Sequence, residues 1–129
     1  MRNFRSLVVW QKSLELSVKV YELTKLFPSE EKFGLISQLR RAAVSITSNI
    51  AEGAAKSSDL YFKKFLEDAI GSAFEMESQL LISCKIYPDL EKSITEILFP
   101  LMIEVQKMLN SMIGKLKSQS LEAPLKTNS

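Results

Sequence analysis

The chain is expected to fold as an all-α protein, an antiparallel up-down-up-down bundle of four helices, and three features lead there. Four glycines and four prolines are the only strong breakers in 129 residues. Apolar residues recur at three- and four-residue spacing, and no stretch alternates apolar with polar in the period of a strand. The length suits one domain that buries roughly two thirds of its unfolded surface without cross-links. Residues 1–117 are assigned to the bundle, and the tail at 118–129, SQSLEAPLKTNS, is expected to be disordered because it has little to pack.

The first helix is expected from about Arg5 to Phe27. Val9, Ser13, Leu16, Val20, Leu23 and Phe27 keep a four-three spacing, with Trp10, Leu14, Ser17 and Tyr21 on the adjacent stripe. Pro28 and Ser29 stop it. Ser29 can cap a second helix, whose first turn holds Glu30 and Glu31, where the helix dipole favours negative charge. This helix is expected to reach Ala51 or Glu52, with Gly53 as the left-handed residue just past its end. Ser57 or Ser58 can cap a third helix from about Asp59 to Ile86, with Leu60, Phe62, Phe65, Leu66, Phe74, Met76, Leu80, Leu81 and Ile82 on its buried side. Tyr87, Pro88 and Asp89 break it. The fourth runs from about Leu90 to Lys117, and Pro100 inside it should kink or locally open it, because proline lacks an N–H and clashes with the carbonyl four residues back.

In a lone bundle each helix needs one apolar stripe, yet the first and fourth helices are apolar over a wider arc. Self-association would cover the excess; a kinked or irregular bundle covering its own faces is the alternative.

Several function classes have little support. The chain has no histidine, the usual general base and metal ligand, and Cys84 is its only cysteine, so neither a disulfide framework nor an activated thiol is expected. Glu52, Asp68, Glu75 and Glu77 could imitate a carboxylate-bridged di-metal bundle, but such sites also use Glu-x-x-His pairs. No catalytic residue, metal or cofactor is therefore expected. Trp10, Tyr21, Met102, Met108 and Met112 stand at core or contact positions. The N-terminus has too short an apolar run for a signal peptide, and ILFPLMI at Ile97 to Ile103 is far short of a membrane span, so a cytoplasmic protein without membrane contact is expected.

Polar residues form two stripes of their own. Gln38, Arg41, Ser45, Ser48 and Glu52, with Asn49 beside them, line the second helix, and Asp68, Ser72, Glu75 and Gln79 line the third. Antiparallel neighbours would bring the stripes together, with Arg41 within a turn of Ser72 and Glu75. A buried guanidinium needs a partner, so Arg41 is expected to pair with Glu75 in a network that fixes helix register. The same residues could instead form a ligand or nucleic-acid surface.

The net charge of +2 is unevenly spread: residues 1–65 hold eleven Lys/Arg against six Asp/Glu (+5), and residues 66–129 six against nine (−3). The cations that could meet phosphates are Arg5, Lys12 and Lys19, seven apart on one face, and Arg40, Lys56, Lys63 and Lys64 near the second connection. Glu15 and Glu22, three residues from Lys12 and Lys19, also fit an ordinary solvated face.

Trp10-Gln11-Lys12, Phe27-Pro28-x-x-Glu31, Gln38-Leu39-Arg40-Arg41-Ala42, Ser48-Asn49-Ile50-Ala51-Glu52-Gly53 and Gly71-Ser72 together resemble the bacterial four-helix-bundle family encoded by intervening sequences in large-subunit ribosomal RNA genes, over residues 4 to about 117. The family is similar in fold to the accessory variability determinant of diversity-generating retroelements. That protein is a barrel-shaped homopentamer that binds nucleic acid and a reverse transcriptase. The resemblance implies a homopentameric assembly, with RNA or DNA and a protein such as a reverse transcriptase as partners. Where relatives are expected to have Gly-Tyr at the end of the third helix, this chain has Ile86-Tyr87. Three functions stand open at this point. They are a non-catalytic homo-oligomeric scaffold or adaptor, a sequence-indifferent RNA- or DNA-binding protein acting through the basic N-terminal half, and an enzyme using the carboxylate and arginine stripe.

Overall fold

In the computed structural model the backbone is described over residues 2–128 and the side chains over residues 2–117, so the tail expected to be disordered lies outside the fully described residues. Four helices form the bundle: α1 (Val8–Thr24), α2 (Leu35–Ala54), α3 (Asp59–Ile86) and α4, which consists of an α-turn (Glu91–Ser93), a π-helical segment (Ile94–Leu98) and an α-helix (Phe99–Asn128). Among the described residues there is no strand.

Each helix packs on two neighbours, α1 and α3 both on α2 and α4, so α1 and α3 stand diagonally opposite. Contacts across each seam fix the directions. Arg40 at the start of α2 meets Thr24 at the end of α1, Gly53 near the end of α2 lies against Phe62 and Phe65 near the start of α3, and Lys12 reaches Glu104 from α1 to α4. These residues run in opposite chain directions, as an antiparallel bundle requires. Leu16, Leu39, Ile50, Leu66, Met76, Leu98 and Met102 are fully buried along its axis.

The ends of the helices are where the residues act differently from expectation. Ahead of α1, Phe4–Ser6 forms a separate 3-10 turn in which the Asn3 side chain accepts from the Arg5 N–H, and the extended backbone of Leu7 starts the helix at Val8. Ser29 does not cap α2: Ser29–Glu31 closes into its own 3-10 turn, and the Glu31 carboxylate accepts from the N–H of Leu35 at 3.1 Å, where the helix starts instead of at Glu30. Gly53 lies inside α2 and no glycine among the described residues has positive φ, so it is not a left-handed cap. Its lack of a side chain serves packing instead. A Cβ there would stand 2.8 Å from the Phe65 Cβ and 3.0 Å from Phe62 Cδ1. Ser58 caps α3 as expected, its hydroxyl accepting from the Leu60 N–H. The break expected from Pro100 is the π segment, which contains Glu96, the residue four before the proline.

Two tethers close the ends. Arg2 donates its N–H to the Ala54 carbonyl and a guanidinium N–H to the Lys56 carbonyl, pairs with Asp59, and lies 4.2 Å from the centre of the Phe62 ring, which joins the N-terminus to the α2–α3 connection. At the other end the Tyr87 hydroxyl donates to the Glu31 carboxylate. This bond, with that of the Leu35 N–H, holds Glu31 below the usual carboxylate range, and it pushes the Tyr87 phenol up to about 12.

The apolar excess is widest on α1 and α3, while α4, expected to share it, exposes Ile97 and Ile103. On α4, Ile94, Leu98, Leu101, Met102, Val105 and Leu109 are buried, whereas Leu60, Phe74, Leu81 and Ile82, expected on the buried side of α3, are exposed. The reason is angular. Phe62, Leu66, Ala69, Ala73, Met76 and Leu80 already fill the arc of α3 that faces the axis, and the remaining apolar residues lie outside it.

Gly53→Ala should lower stability by about 1–3 kcal/mol by overpacking against Phe62 and Phe65, while Gly71→Ala, with open space at its Cβ, should raise it by about 0.5–1 kcal/mol; urea unfolding midpoints read both. The Glu31–Tyr87 bond predicts a stability plateau with two edges. A lowered carboxylate contributes above its unfolded value near 4.5 and loses that contribution as the pH falls through the folded value. A raised phenol contributes below 10 and loses it as the pH rises to about 12. In thermal unfolding followed against pH, Tyr87→Phe should reduce both edges.

Candidate functional site

The polar stripes of α2 and α3 do meet, through hydroxyls. Ser45 and Ser72 share a hydrogen bond of 2.8 Å between their Oγ atoms, and the Asn49 side-chain N–H donates to the Ser45 carbonyl at 2.9 Å and to Ser45 Oγ at 3.1 Å. Gln79 donates to Glu75 at 3.3 Å, while its own Oε1 is buried with no protein partner. Gln38, Arg41 and Glu75 rim the resulting groove of about 310 Å³. Ser48, Glu52 and Asp68 are exposed and do not line it.

Arg41 does not pair with Glu75. Both are exposed, and no ion pair of Arg41 occurs among the described residues. Both stand at the open rim of the groove, where water solvates the guanidinium and no buried charge demands a partner. The inward arginine is its neighbour. Arg40, expected on the outer side of α2, is half-buried, donates Nε–H to Thr24 Oγ1 at 2.9 Å, and stacks 4.6 Å above the Tyr21 ring.

The other candidate cations do not form one track. Lys12 is 3.5 Å from Glu104, Lys19 is 3.7 Å from Glu15, and Lys63 is 3.9 Å from Glu67. Lys56 stands 5.4 Å over the Phe65 ring. Arg5 lies in the turn ahead of α1 and so off the face it was expected to share with Lys12 and Lys19. Lys64 is exposed. Exposed pairs at these distances are weak, but they lower the net charge that a phosphate would meet.

The four carboxylates do not converge. Glu77 accepts from the buried Gln106 across the α3–α4 seam at 2.8 Å, and among the described residues no group of three His, Cys, Asp or Glu side chains could hold a metal ion. Gln106 falls on the apolar stripe of α4, four residues after Met102 and three before Leu109, and its buried amide gave no signal in the sequence. Burial and the nearby Glu91 raise the Cys84 thiol above its ordinary range, only partly offset by Lys85, so the thiol stays protonated and weakly nucleophilic. No described helix is long and apolar enough to cross a membrane.

The outer face of α3 is apolar. Phe74, Leu81, Ile82 and Ile86 line an open groove of about 520 Å³ on the outer face of α3, with Glu77 and Lys85 at its edges. Phe74 is 54% exposed. On the diagonal helix, Leu14 and Val18 form a smaller exposed pair, with Val44 of α2 also exposed.

Arg40→Met should cost about 1–2 kcal/mol, since it removes a charged hydrogen bond and a stacked cation. Arg41→Met should stay within about 0.5 kcal/mol of the parent. Chemical denaturation of the two variants side by side distinguishes the inward arginine from the outward one.

No curated protein matches the chain. Residues 5–111 match the family described as 23S rRNA-intervening sequence protein. The match spans α1, α2, α3 and α4 as far as Ser111, and with it the Ser45–Ser72 seam and the outer face of α3. The chain therefore belongs to the 23S rRNA-intervening sequence protein family.

Proposed function

We propose that the protein is a non-catalytic homo-oligomeric scaffold that presents its surface to a protein or nucleic-acid partner. The observation that carries this reading is the outer face of α3, where Phe74, Leu81, Ile82 and Ile86 lie together and exposed. Isolated apolar side chains on a surface are ordinary, whereas a contiguous set on one helix favours association.

The placement of a second exposed set supports a ring. Leu14 and Val18 belong to α1, diagonal to α3, so the two patches point to different sides of the bundle. A two-fold dimer joins one patch to itself; two different patches on different sides suit head-to-tail contacts, which close into a ring when the rotation permits. Five is the number suggested by the resemblance to the accessory variability determinant. Sequence-indifferent binding of RNA or DNA through the seven candidate cations has less support, because Lys12, Lys19 and Lys63 face carboxylates, Lys56 is held on Phe65 and Arg5 lies in the turn ahead of α1.

Light scattering on the purified chain should give a mass several times the 14.6 kDa of one subunit. Phe74→Asp combined with Leu81→Asp should return it to one subunit with helical circular dichroism intact, as both side chains are exposed in the isolated bundle. A parent protein that is monomeric at tens of micromolar would sink the scaffold reading.

A further inference from the structure

The corner where α1 passes into α2 carries a groove of about 530 Å³ that neither the polar seam nor the α3 face accounts for. Tyr21, Phe33 and Ile36 supply its apolar lining, and Lys32, Arg40 and Arg41 its charge. We propose that this groove binds single-stranded nucleic acid, with a base stacked on Phe33 and backbone phosphates held by Lys32, Arg40 and Arg41.

Phe33 is 88% exposed, the highest value among the large apolar side chains of the described residues. It is no overflow from a helix stripe, because it stands between the 3-10 turn and α2, in a segment held by the Glu31 contacts to Leu35 and Tyr87. Lys32 places its ammonium 5.5 Å from the same ring. Across the groove Arg40 is fixed over Tyr21, two of its N–H groups engaged by Thr24 Oγ1 and the Tyr21 carbonyl. A guanidinium carries five N–H donors, so others remain for a phosphate.

The charge of the groove has one sign. Its lining includes no carboxylate, and none of Lys32, Arg40 and Arg41 forms an ion pair among the described residues; Arg41 also borders the polar groove that Glu75 rims, without pairing with it. Of the nearest acids along the chain, Glu31 is engaged elsewhere, accepting from the Tyr87 hydroxyl and the Leu35 N–H, and Glu30 is not part of the groove lining. Three unpaired cations beside an apolar aromatic face match a polyanion with planar groups. A purely apolar peptide would leave the cations uncompensated, and a duplex keeps its bases stacked inside, away from Phe33.

Fluorescence anisotropy tests this with a labelled single-stranded RNA of about ten nucleotides, its duplex form and an oligoglutamate peptide of equal charge, with solution mass followed in parallel. Single strands should bind more tightly than either control. Phe33→Ala should weaken that binding about tenfold and leave its salt slope unchanged, since stacking carries no counterion release. Arg41→Gln should weaken it and reduce the slope by about 0.7, the share of one phosphate on a single strand. Absence of single-strand binding at low salt would overturn the proposal, as would equal binding of duplex or oligoglutamate, or indifference to Phe33→Ala. So would a fall in assembly mass on Phe33→Ala, which would make the groove a contact between subunits.

Discussion

Close approach of α2 to α3 is the constraint on which the other packing depends. Along this seam α2 presents small residues: Ala42 and Ser45 meet Ser72 of α3, and Gly53 makes room for Phe62 and Phe65. Short side chains let two helix backbones come together, and the Ser45–Ser72 bond satisfies the hydroxyls that such a seam would otherwise strand. With α2 and α3 locked, α1 and α4 have one way to close the core, and the faces left outside are decided. Phe74 and Leu81 are exposed because that arrangement gives α3 two neighbours and no third.

Helix number, the span of α3, its Ser58 cap and the disturbance at Pro100 were legible in the sequence, because period, capping chemistry and proline sterics act locally. The start of α2 was not. Ser29 and Glu31 are both suitable caps, and the choice between them rests on Tyr87, a residue 56 positions away that holds the Glu31 carboxylate in place. The polar stripes were legible as stripes and their meeting was foreseen, but the role of Arg41 was not. Arg40 and Arg41 differ by one step of 100° on α2, and which of them turns inward depends on where α1 lies, a tertiary fact that spacing alone does not contain. The same limit explains α3, whose wide apolar surface looked like core until the neighbours that cover only part of it were in place.

Surface charge in this chain is mostly local. Lys19 and Lys63 find their carboxylates four residues away, on the same helix, and Lys12 finds one on the adjacent α4. The imbalance between the two halves of the sequence is kept at the α1–α2 corner, where Lys32, Arg40 and Arg41 form no ion pair among the described residues and the Glu31 carboxylate is engaged by Tyr87 and Leu35. A count of charges per half cannot reveal this. What matters is which cations lack a carboxylate within reach, and that follows from the connections between the helices more than from composition.

The π segment of α4 bears on how this chain can change in length. A π turn spaces its hydrogen bonds five residues apart where an α-helix spaces them four, so Ile94–Leu98 holds backbone slack within an otherwise regular helix. Elsewhere in the bundle, gaining or losing one residue would swing every later side chain by about 100° and turn a buried face outward. Here the helix already contains such an offset, and Leu98, Met102, Val105 and Leu109 still reach the core beyond it. Insertions and deletions are thus cheapest at this one turn, where the phase of α4 can be reset without moving the bundle.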